Sequence, residues 1–394
     1  MSTGIFIVSG VRTPIGTFGG TLKDKSPTAL GAVVVKEAIR RANIEPGIVD
    51  HSVFGTVIPT EAQDLFLGRT VAIEAGMPVG SQGLTVNRLC GSGAQAIVSA
   101  AQMIILDESR IAVAGGAEAM SRAPHSISAM RYGHRMGDGV VYDWLSNTLA
   151  DPFGHGAMGQ TAENVADLCR ITRERQDEFA LTSQRHAAMA IAEGRFKAQI
   201  VPVEVDTRKG AMLFDQDEHP RPQTKLEDLA KLKPVFKPGG TVTAGNASGI
   251  NDGSAAVVLA SEEEVRQRNL SPIGRLVSWG LAGVSPEIMG IGPVKAVPIA
   301  LERAGLKLDD IDVIESNEAF AAQALAVTDG LHLPPEKVNP NGGAIALGHP
   351  LGATGAILTV KALYELRRSK GRYGVATMCI GGGQGIALVV ESLH

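Results

Sequence analysis

The sequence predicts an α/β protein assembled from two copies of one supersecondary unit. Three observations predict it: strands alternate with helices, short segments recur at one fixed offset, and 394 residues suffice for two or three packed units. Ala38-Ile39, Arg41-Ala42 and Ile44 match Ala300-Leu301, Arg303-Ala304 and Leu306 in order and spacing. Each of these helices ends before a short strand, Val49 to Gly55 in the first copy and Ile311 to Asn317 in the second. At the same offset Ser92-Gly93-Ala94 matches Thr354-Gly355-Ala356, and Val113-Ala114 matches Val375-Ala376. Chance can produce one such match, but a shared register over three segments points to a duplication.

The net charge of -4 and the lack of a Lys/Arg block with interleaved aromatics argue against nucleic acid as a partner. A small-molecule substrate fits better. Cys90, Cys169 and Cys379 are odd in number, far apart and outside any CxxC pairing, which argues against a disulfide framework or a zinc site, so reduced thiols are expected. The chain opens into a strand-like Ile5-Phe6-Ile7-Val8, with no basic or arginine-rich leader and no apolar run long enough to span a bilayer. Glu391-Ser392-Leu393-His394 is not the usual peroxisomal tripeptide. A soluble cytoplasmic enzyme without membrane contact is the expectation.

In the first copy, Asn87-Arg88-Leu89-Cys90-Gly91-Ser92-Gly93 sits between a strand (Leu84 to Val86) and a helix. That helix carries Ala94, Ile97, Val98, Ala101, Ile104 and Ile105 at helical spacing, and Gly91, Gly93, Ala96 and Ala100 keep its other side small, so it is expected to be buried all round. A sulfur at its mouth lies where unpaired N–H groups and the positive dipole end favour a thiolate. The dipole supplies only about 0.3–1 kcal/mol, less than one pKa unit, so a nucleophile at neutral pH needs a base as well. An inert core cysteine is the competing reading.

In the second copy, His349 lies in the glycine-rich stretch Asn341-Gly342-Gly343 through Gly348-His349-Pro350-Leu351-Gly352, before the helix that mirrors the Cys90 helix. Pseudo-twofold packing of the copies would bring Cys90 and His349 together, and Cys–His pairs activate thiols. A structural loop histidine fits the same residues. No Gly-Lys-Ser/Thr follows, so the glycines are not a nucleotide P-loop. Cys379 ends the strand Gly374 to Met378 and leads into Ile380-Gly381-Gly382-Gly383-Gln384-Gly385, where glycine N–H groups can reach a substrate oxygen or simply make a tight turn. Asn317-Glu318-Ala319-Phe320 ends the strand that repeats Val49 to Gly55; its polar pair can hold a water or cap a helix. Between the copies, from about Ala119 to Asn246, the pattern changes to loops and short helices, with an amphipathic helix from Arg173 to Glu193. Such an insertion either covers a substrate site or is a tolerated surface excursion.

These four ordered motifs, together with Val11-Arg12-Thr13-Pro14-Ile15-Gly16 near the start, closely resemble the thiolase family, in its acetyl-CoA acetyltransferase or β-ketothiolase branch, nearly end to end. The resemblance implies a five-layered α/β/α/β/α core with an inserted loop domain that holds coenzyme A, and a homotetramer. Its expected division is 1-118 plus 247-271 for the nucleophile domain, 119-246 for the coenzyme A loop domain, and 272-394 for the domain with His349 and Cys379. It implies reversible condensation of two acetyl-CoA to acetoacetyl-CoA, or thiolysis of a 3-ketoacyl-CoA. Cys90 would be acylated, His349 would accept its proton, and Cys379 would exchange the proton at the α-carbon of acetyl-CoA. Two oxyanion sites follow by the same resemblance, one from His349 with a water held by Asn317, the other from the N–H groups of Cys90 and Gly381. Coenzyme A and acyl-CoA would act as substrates, with no tightly bound cofactor and no metal.

By resemblance, too, Arg221 and Ser248 belong to the coenzyme A site, and Leu149, Met158, Met289, Ala319 and Phe320 lie near the pantetheine and acyl group. Ser121 to Asp138, with Arg122, Arg131, Tyr132 and Arg135, would form an intersubunit loop, although composition alone supports only an exposed segment. One departure stands out: many acetoacetyl-specific relatives carry a His-Met pair where this chain has His155-Gly156-Ala157-Met158. Ala157 replaces that histidine, so tolerance of longer 3-ketoacyl chains is the expectation. A decarboxylating condensing enzyme, a non-catalytic acyl-CoA or lipid binder and a cysteine hydrolase are the remaining alternatives.

Overall fold

The computed structural model describes residues 4–208 and 210–393, so His394 of the C-terminal reading lies outside the described residues. The first copy supplies strands β1 (Ile5–Arg12), β2 (Gly16–Thr17), β3 (His51–Gly55), β4 (Gln82–Val86), β5 (Ile111–Ala119) and β6 (Asn251–Ser261), with helices α1 (Pro27–Arg41), α2 (Leu67–Glu74) and α3 (Ser92–Ile105). Helices α4 (Met158–Cys169) and α5 (Arg173–Ala192) belong to the insertion. The second copy supplies β7 (Gly274–Gly283), β8 (Val313–Ser316), β9 (Tyr373–Ile380) and β10 (Gln384–Ser392), with α6 (Gly292–Ala304), α7 (Ala321–Leu331) and α8 (Leu351–Ser369).

Among the described residues the strands join in the order β8-β9-β10-β7-β1-β6-β5-β3-β4, with β2 paired to β6. The duplication is visible in the ladder. β1 runs antiparallel to β6, β6 antiparallel to β5, and β5 parallel to β3; β7, β10, β9 and β8 repeat these relations in turn. The copies meet where β1 and β7 pair over Ile5–Ile7 and Gly274–Leu276. They differ at the edge: β4 flanks β3, whereas only an isolated parallel bridge between Ile314 and Val338 flanks β8.

Small polar details recur as well. A bulge falls between Ile7 and Ser9 and another between Leu276 and Ser278. The extra residue bends each strand so that Ser9 Oγ donates to the Ala38 carbonyl and Ser278 Oγ to the Ala300 carbonyl, both at 2.6 Å. Asp50 Oδ2 accepts the N–H groups of Arg110 and Ile111, and Asp312 Oδ2 accepts those of Arg372 and Tyr373.

Strand alternation sorts the core into layers. Along β6, Ala255, Val257 and Leu259 face the cluster built on α3 and α8, while Ala256, Val258 and Ala260 face the cluster of Val34, Val35 and Ile39 on α1. Along β10, Ile386, Leu388 and Val390 face the central helices, while Ala387 and Val389 meet Ala296, Val297 and Ala300 of α6. Outer helix, sheet, central helices, sheet, outer helix is the five-layered order. Ile105 departs from the all-round burial expected of α3: it is 43% exposed at the end of the helix, whereas Ile104 in the same turn stays in the core at 3%.

The central helices cross at their glycines. A Cβ on Gly93 would lie 2.8 Å from the Gly352 carbonyl oxygen and 2.9 Å from Ala356 N, and one on Gly355 would lie 2.7 Å from Ala94 Cβ and closer still to Ala94 N. The insertion is fastened to this core by Arg12, whose guanidinium makes a buried fork to Asp217 at 2.7 and 2.8 Å and lies over the Phe196 ring. No helix among the described residues is long and apolar enough to cross a membrane. Gly355→Ala tests the crossing, since helix propensity alone favours alanine by about 1 kcal/mol. Overpacking reverses that sign, and a net loss of about 1–3 kcal/mol is expected in urea unfolding.

Candidate active site

Cys90 sits in a turn that its neighbours hold in a costly shape. Leu89 has φ +47, a region L-residues rarely occupy. Asn87 Oδ1 accepts the Leu89 N–H at 2.9 Å, while Ser92 Oγ accepts the Arg88 N–H at 2.9 Å and donates to the Leu89 carbonyl at 2.7 Å. Arg88 Nη1 donates to Gln384 Oε1 at 2.9 Å, tying this turn to β10 in the other copy. Gly91 is needed for that approach, because a Cβ there would lie 2.6 Å from Ile380 Cδ1.

The backbone N–H groups of Gly381 and of Cys90 itself lie near the Cys90 sulfur and favour its thiolate. Burial nevertheless pushes the thiol up to about 11, and the nearby Glu118 carboxylate adds to the rise. Cys379 ends β9 beside it, 1% exposed, and burial together with the neighbouring Cys90 sulfur holds its thiol well above the ordinary range. Gly382 and Gly383 adopt φ of +79 and +88, so the turn after Cys379 needs its glycines whatever the N–H groups do.

His349 is fixed at three atoms. Its N–H donates to Asn251 Oδ1 at 2.9 Å, its Nδ1 lies 2.7 Å from Thr354 Oγ1, and Asn317 Nδ2 faces its Nε2 at 3.4 Å. Asn317 Nδ2 can only donate, so Nε2 carries the lone pair and Nδ1–H donates to Thr354. Burial pushes the imidazole down to about 4, leaving it neutral at pH 7. At rest, therefore, burial favours a protonated Cys90 thiol and a neutral His349 imidazole rather than a thiolate and an imidazolium. Asn317 is fully buried, with its N–H on the Thr377 carbonyl and its Oδ1 lacking a partner among the described residues.

Apolar residues surround the two sulfurs. Leu149 packs in the cluster that includes Leu89 and Cys90, while Met158, Met289, Ala319 and Phe320 gather around Cys379. A Cβ on Gly381 would lie 3.2 Å from Met158 Sδ, which puts this side chain directly over the glycine. The Ser248 N–H donates to the Ala319 carbonyl at 3.0 Å and joins the exit of the insertion to the Asn317 segment. Arg221 lies farther out, its side chain exposed and its N–H held by Gln184 Oε1 at 2.8 Å. His155 turns toward Glu287 at 3.7 Å, and Ala157 is exposed just before α4.

Motif reasoning missed Thr354, Asn251 and Glu118. Thr354 stood only as the counterpart of Ser92, and Asn251 had no motif of its own. Glu118 had one signal, a lone acid in the otherwise apolar run Ile111–Ala119.

His349 also links pH to stability. Its folded-state value lies below the unfolded one, so the unfolded chain binds the extra proton and stability falls as pH drops from about 6.5 to about 4. His349→Asn removes this contribution: urea unfolding at pH 7 and 4.5 should show the variant losing about 2 kcal/mol less than the wild type over that interval.

The family model of the thiolase N-terminal domain matches residues 5–263, and that of the thiolase C-terminal domain matches residues 270–392. The chain is 58% identical to the beta-ketothiolase BktB of Cupriavidus necator over 100% of both chains. It is 50% identical to the acetyl-CoA acetyltransferase of Escherichia coli, over 98% of this chain and 99% of the other. The crystal structure of human mitochondrial 3-ketoacyl-CoA thiolase superposes with a TM-score of 0.98 at 46% identity, covering 99% of each chain. A crystal structure of the human enzyme in complex with CoA gives 0.97 at 45%, covering 100% of this chain and 98% of that one. This chain therefore belongs to the thiolase family of acyltransferases.

Proposed function

We propose that the chain is a β-ketothiolase working through a Cys90 acyl-enzyme, condensing two acetyl-CoA reversibly or cleaving a 3-ketoacyl-CoA with coenzyme A. The reading rests on the crossing at Gly93 and Gly352, which brings the Cys90 turn and the His349 turn to one place, with Cys379 beside Cys90 at the edge of an apolar cluster. In the cleavage direction, Cys90 Sγ bonds to the ketone carbon while its proton passes to His349 Nε2. The carbon–carbon bond then breaks, leaving an acyl-Cys90 thioester, and the departing acetyl-CoA enolate takes the Cys379 proton at carbon. Coenzyme A then attacks the thioester, its thiol proton passing to the Cys379 sulfur as it takes the acyl group, and the released Cys90 sulfur recovers its proton from His349.

Neutral groups suit this sequence, because a proton moves only as a bond forms. The N–H groups of Cys90 and Gly381 are assigned to the acyl oxygen, and His349 with an Asn317-held water to the oxygen of the partner thioester. Loss of one such donor typically costs about 2.7–4 kcal/mol of transition-state stabilisation. Arg221 is assigned to the phosphoadenosine end of coenzyme A, where its fork binds or stacks, and Ser248, Leu149, Met158, Met289, Ala319 and Phe320 to pantetheine and acyl group. Coenzyme A and acyl-CoA act as substrates, without a tightly bound cofactor.

The division into 1-118 plus 247-271, 119-246 and 272-394, a homotetramer and a cytoplasmic location complete the proposal. Tyr132 and Met136, 93% and 91% exposed, fit an intersubunit role for the surrounding loop. A preference reaching beyond acetoacetyl-CoA is favoured by the exposed Ala157 and by His155 facing Glu287.

Purified enzyme should cleave acetoacetyl-CoA and a medium-chain 3-ketoacyl-CoA when coenzyme A is supplied, with comparable rates marking the broader specificity. Cys90→Ala should lose both activities by about a thousandfold or more, as removal of a nucleophile does. Cys379→Ser should still accept an acetyl group from acetyl-CoA, seen by mass spectrometry, yet lose carbon–carbon cleavage. Full activity in Cys90→Ala would refute the assignment.

A further inference from the structure

Glu118 takes no part in the reaction as drawn, yet its carboxylate touches both copies of the duplicated unit. It lies in β5 with no exposed surface. Its oxygens accept the N–H groups of Val57 at 3.0 Å, Ile58 at 3.0 Å and Gly352 at 2.7 Å, and the Thr56 hydroxyl at 3.4 Å. Thr56, Val57 and Ile58 follow β3 in the first copy, whereas Gly352 lies in the first turn of α8 in the second.

From there the bonds run in two directions. The Val57 carbonyl accepts from Asn87 Nδ2 at 3.2 Å, and Asn87 Oδ1 accepts the N–H of Leu89, the residue before Cys90. On the other side the Leu351 N–H, next to Gly352, donates to the His349 carbonyl at 2.9 Å. One side chain thus anchors both the turn that carries the sulfur and the turn that carries the imidazole. Gly352 permits the approach, because a Cβ there would lie 2.7 Å from Glu118 Oε2 and 2.8 Å from Thr56 Cα. Val57, Ile58 and Gly352 present N–H groups that only donate, while the Thr56 hydroxyl donates or accepts; burial pushes the carboxyl up to about 7 against these bonds, so the place demands an acceptor toward the N–H groups, and a glutamine would turn an NH2 group toward at least one of them.

We propose that Glu118 is a positioning residue that holds the Cys90 turn and the His349 turn in register for acyl transfer, a role that rests on the assignment of those two residues above. It contacts no reacting atom. Its effect is on the rate of acylation, since displacements of about 1 Å between reacting groups can lower a rate about a hundredfold.

The test is acylation of the full-length enzyme by acetoacetyl-CoA without coenzyme A, followed by rapid quench and intact-mass detection. It reads separately the fraction of sites acylated, the rate per acylated site and the substrate concentration for half-maximal rate. Glu118→Gln should reach full acylation with a per-site rate lowered roughly 30- to 100-fold and a half-maximal concentration within about threefold of wild type. Asn87→Ala, at an exposed position, cuts only the arm to the sulfur turn and should slow the same step about fivefold or more. A purely structural role would instead lower the thermal midpoint and the acylated fraction while leaving the per-site rate alone. Per-site rates within about threefold of wild type in the folded variants overturn the proposal, and if Glu118→Gln does not fold, Asn87→Ala decides by itself. Wild type that is never acylated on Cys90 sinks the functional reading, and does so before either variant is examined.

Discussion

Everything in the site depends on the close crossing of α3 and α8. Gly93 and Gly355, equivalent residues of the two copies, let the helix backbones approach where a single methyl group would collide with main-chain atoms. Because both helices start at this crossing, the turns leading into them arrive at the same place, one bearing Cys90 and the other His349. Two half-sheets clasp the helix pair from either side, and the apolar alternation of β6 and β10 keeps the arrangement dry. The crossing therefore sets both the shape of the core and how closely the Cys90 turn approaches the His349 turn.

Dryness also decides the protonation states. A helix N-terminus favours a thiolate by about 0.3–1 kcal/mol, and the backbone N–H groups of Gly381 and Cys90 act in the same direction. Burial outweighs both: the Cys90 thiol rises to about 11 from an ordinary 9.0, while the His349 ring falls to about 4. Enclosure thus keeps the two partners neutral, and charge develops only during the reaction, where fixed donors are in position to meet it.

The duplication was legible because Gly93-Ala94 and Gly355-Ala356 at the crossing leave no room for larger side chains, and because α1 and α6 keep Ala and Arg at the same spacing. The Cys90, His349 and Cys379 turns were legible for a related reason: bare backbone next to a reactive side chain leaves a glycine pattern. Hydrogen-bond support was not. Ser9 and Ser278 reach equivalent carbonyls only because a bulge rotates each strand, and nothing in a linear pattern announces a bulge. Asn251 and Glu118 act across copies, where their partners are remote in sequence, and Thr354 meets His349 five residues away only because the chain turns back into α8 there. Ile105 read as core because helical spacing places it beside Ile104 on one face, although the core covers only Ile104.

The duplication also constrains how the centre can change. Cys90 in one turn answers Gly352 in the other, and Asn87 answers His349. An assembly of identical half-chains would have to present the same groups twice around its dyad, crowding a second copy of the Cys90 sulfur and of the His349 ring into a space shaped for one. Fusion into a single chain lifts that symmetry requirement, so one turn carries a sulfur and its twin an imidazole, and each is free to diverge without copying the change into the other.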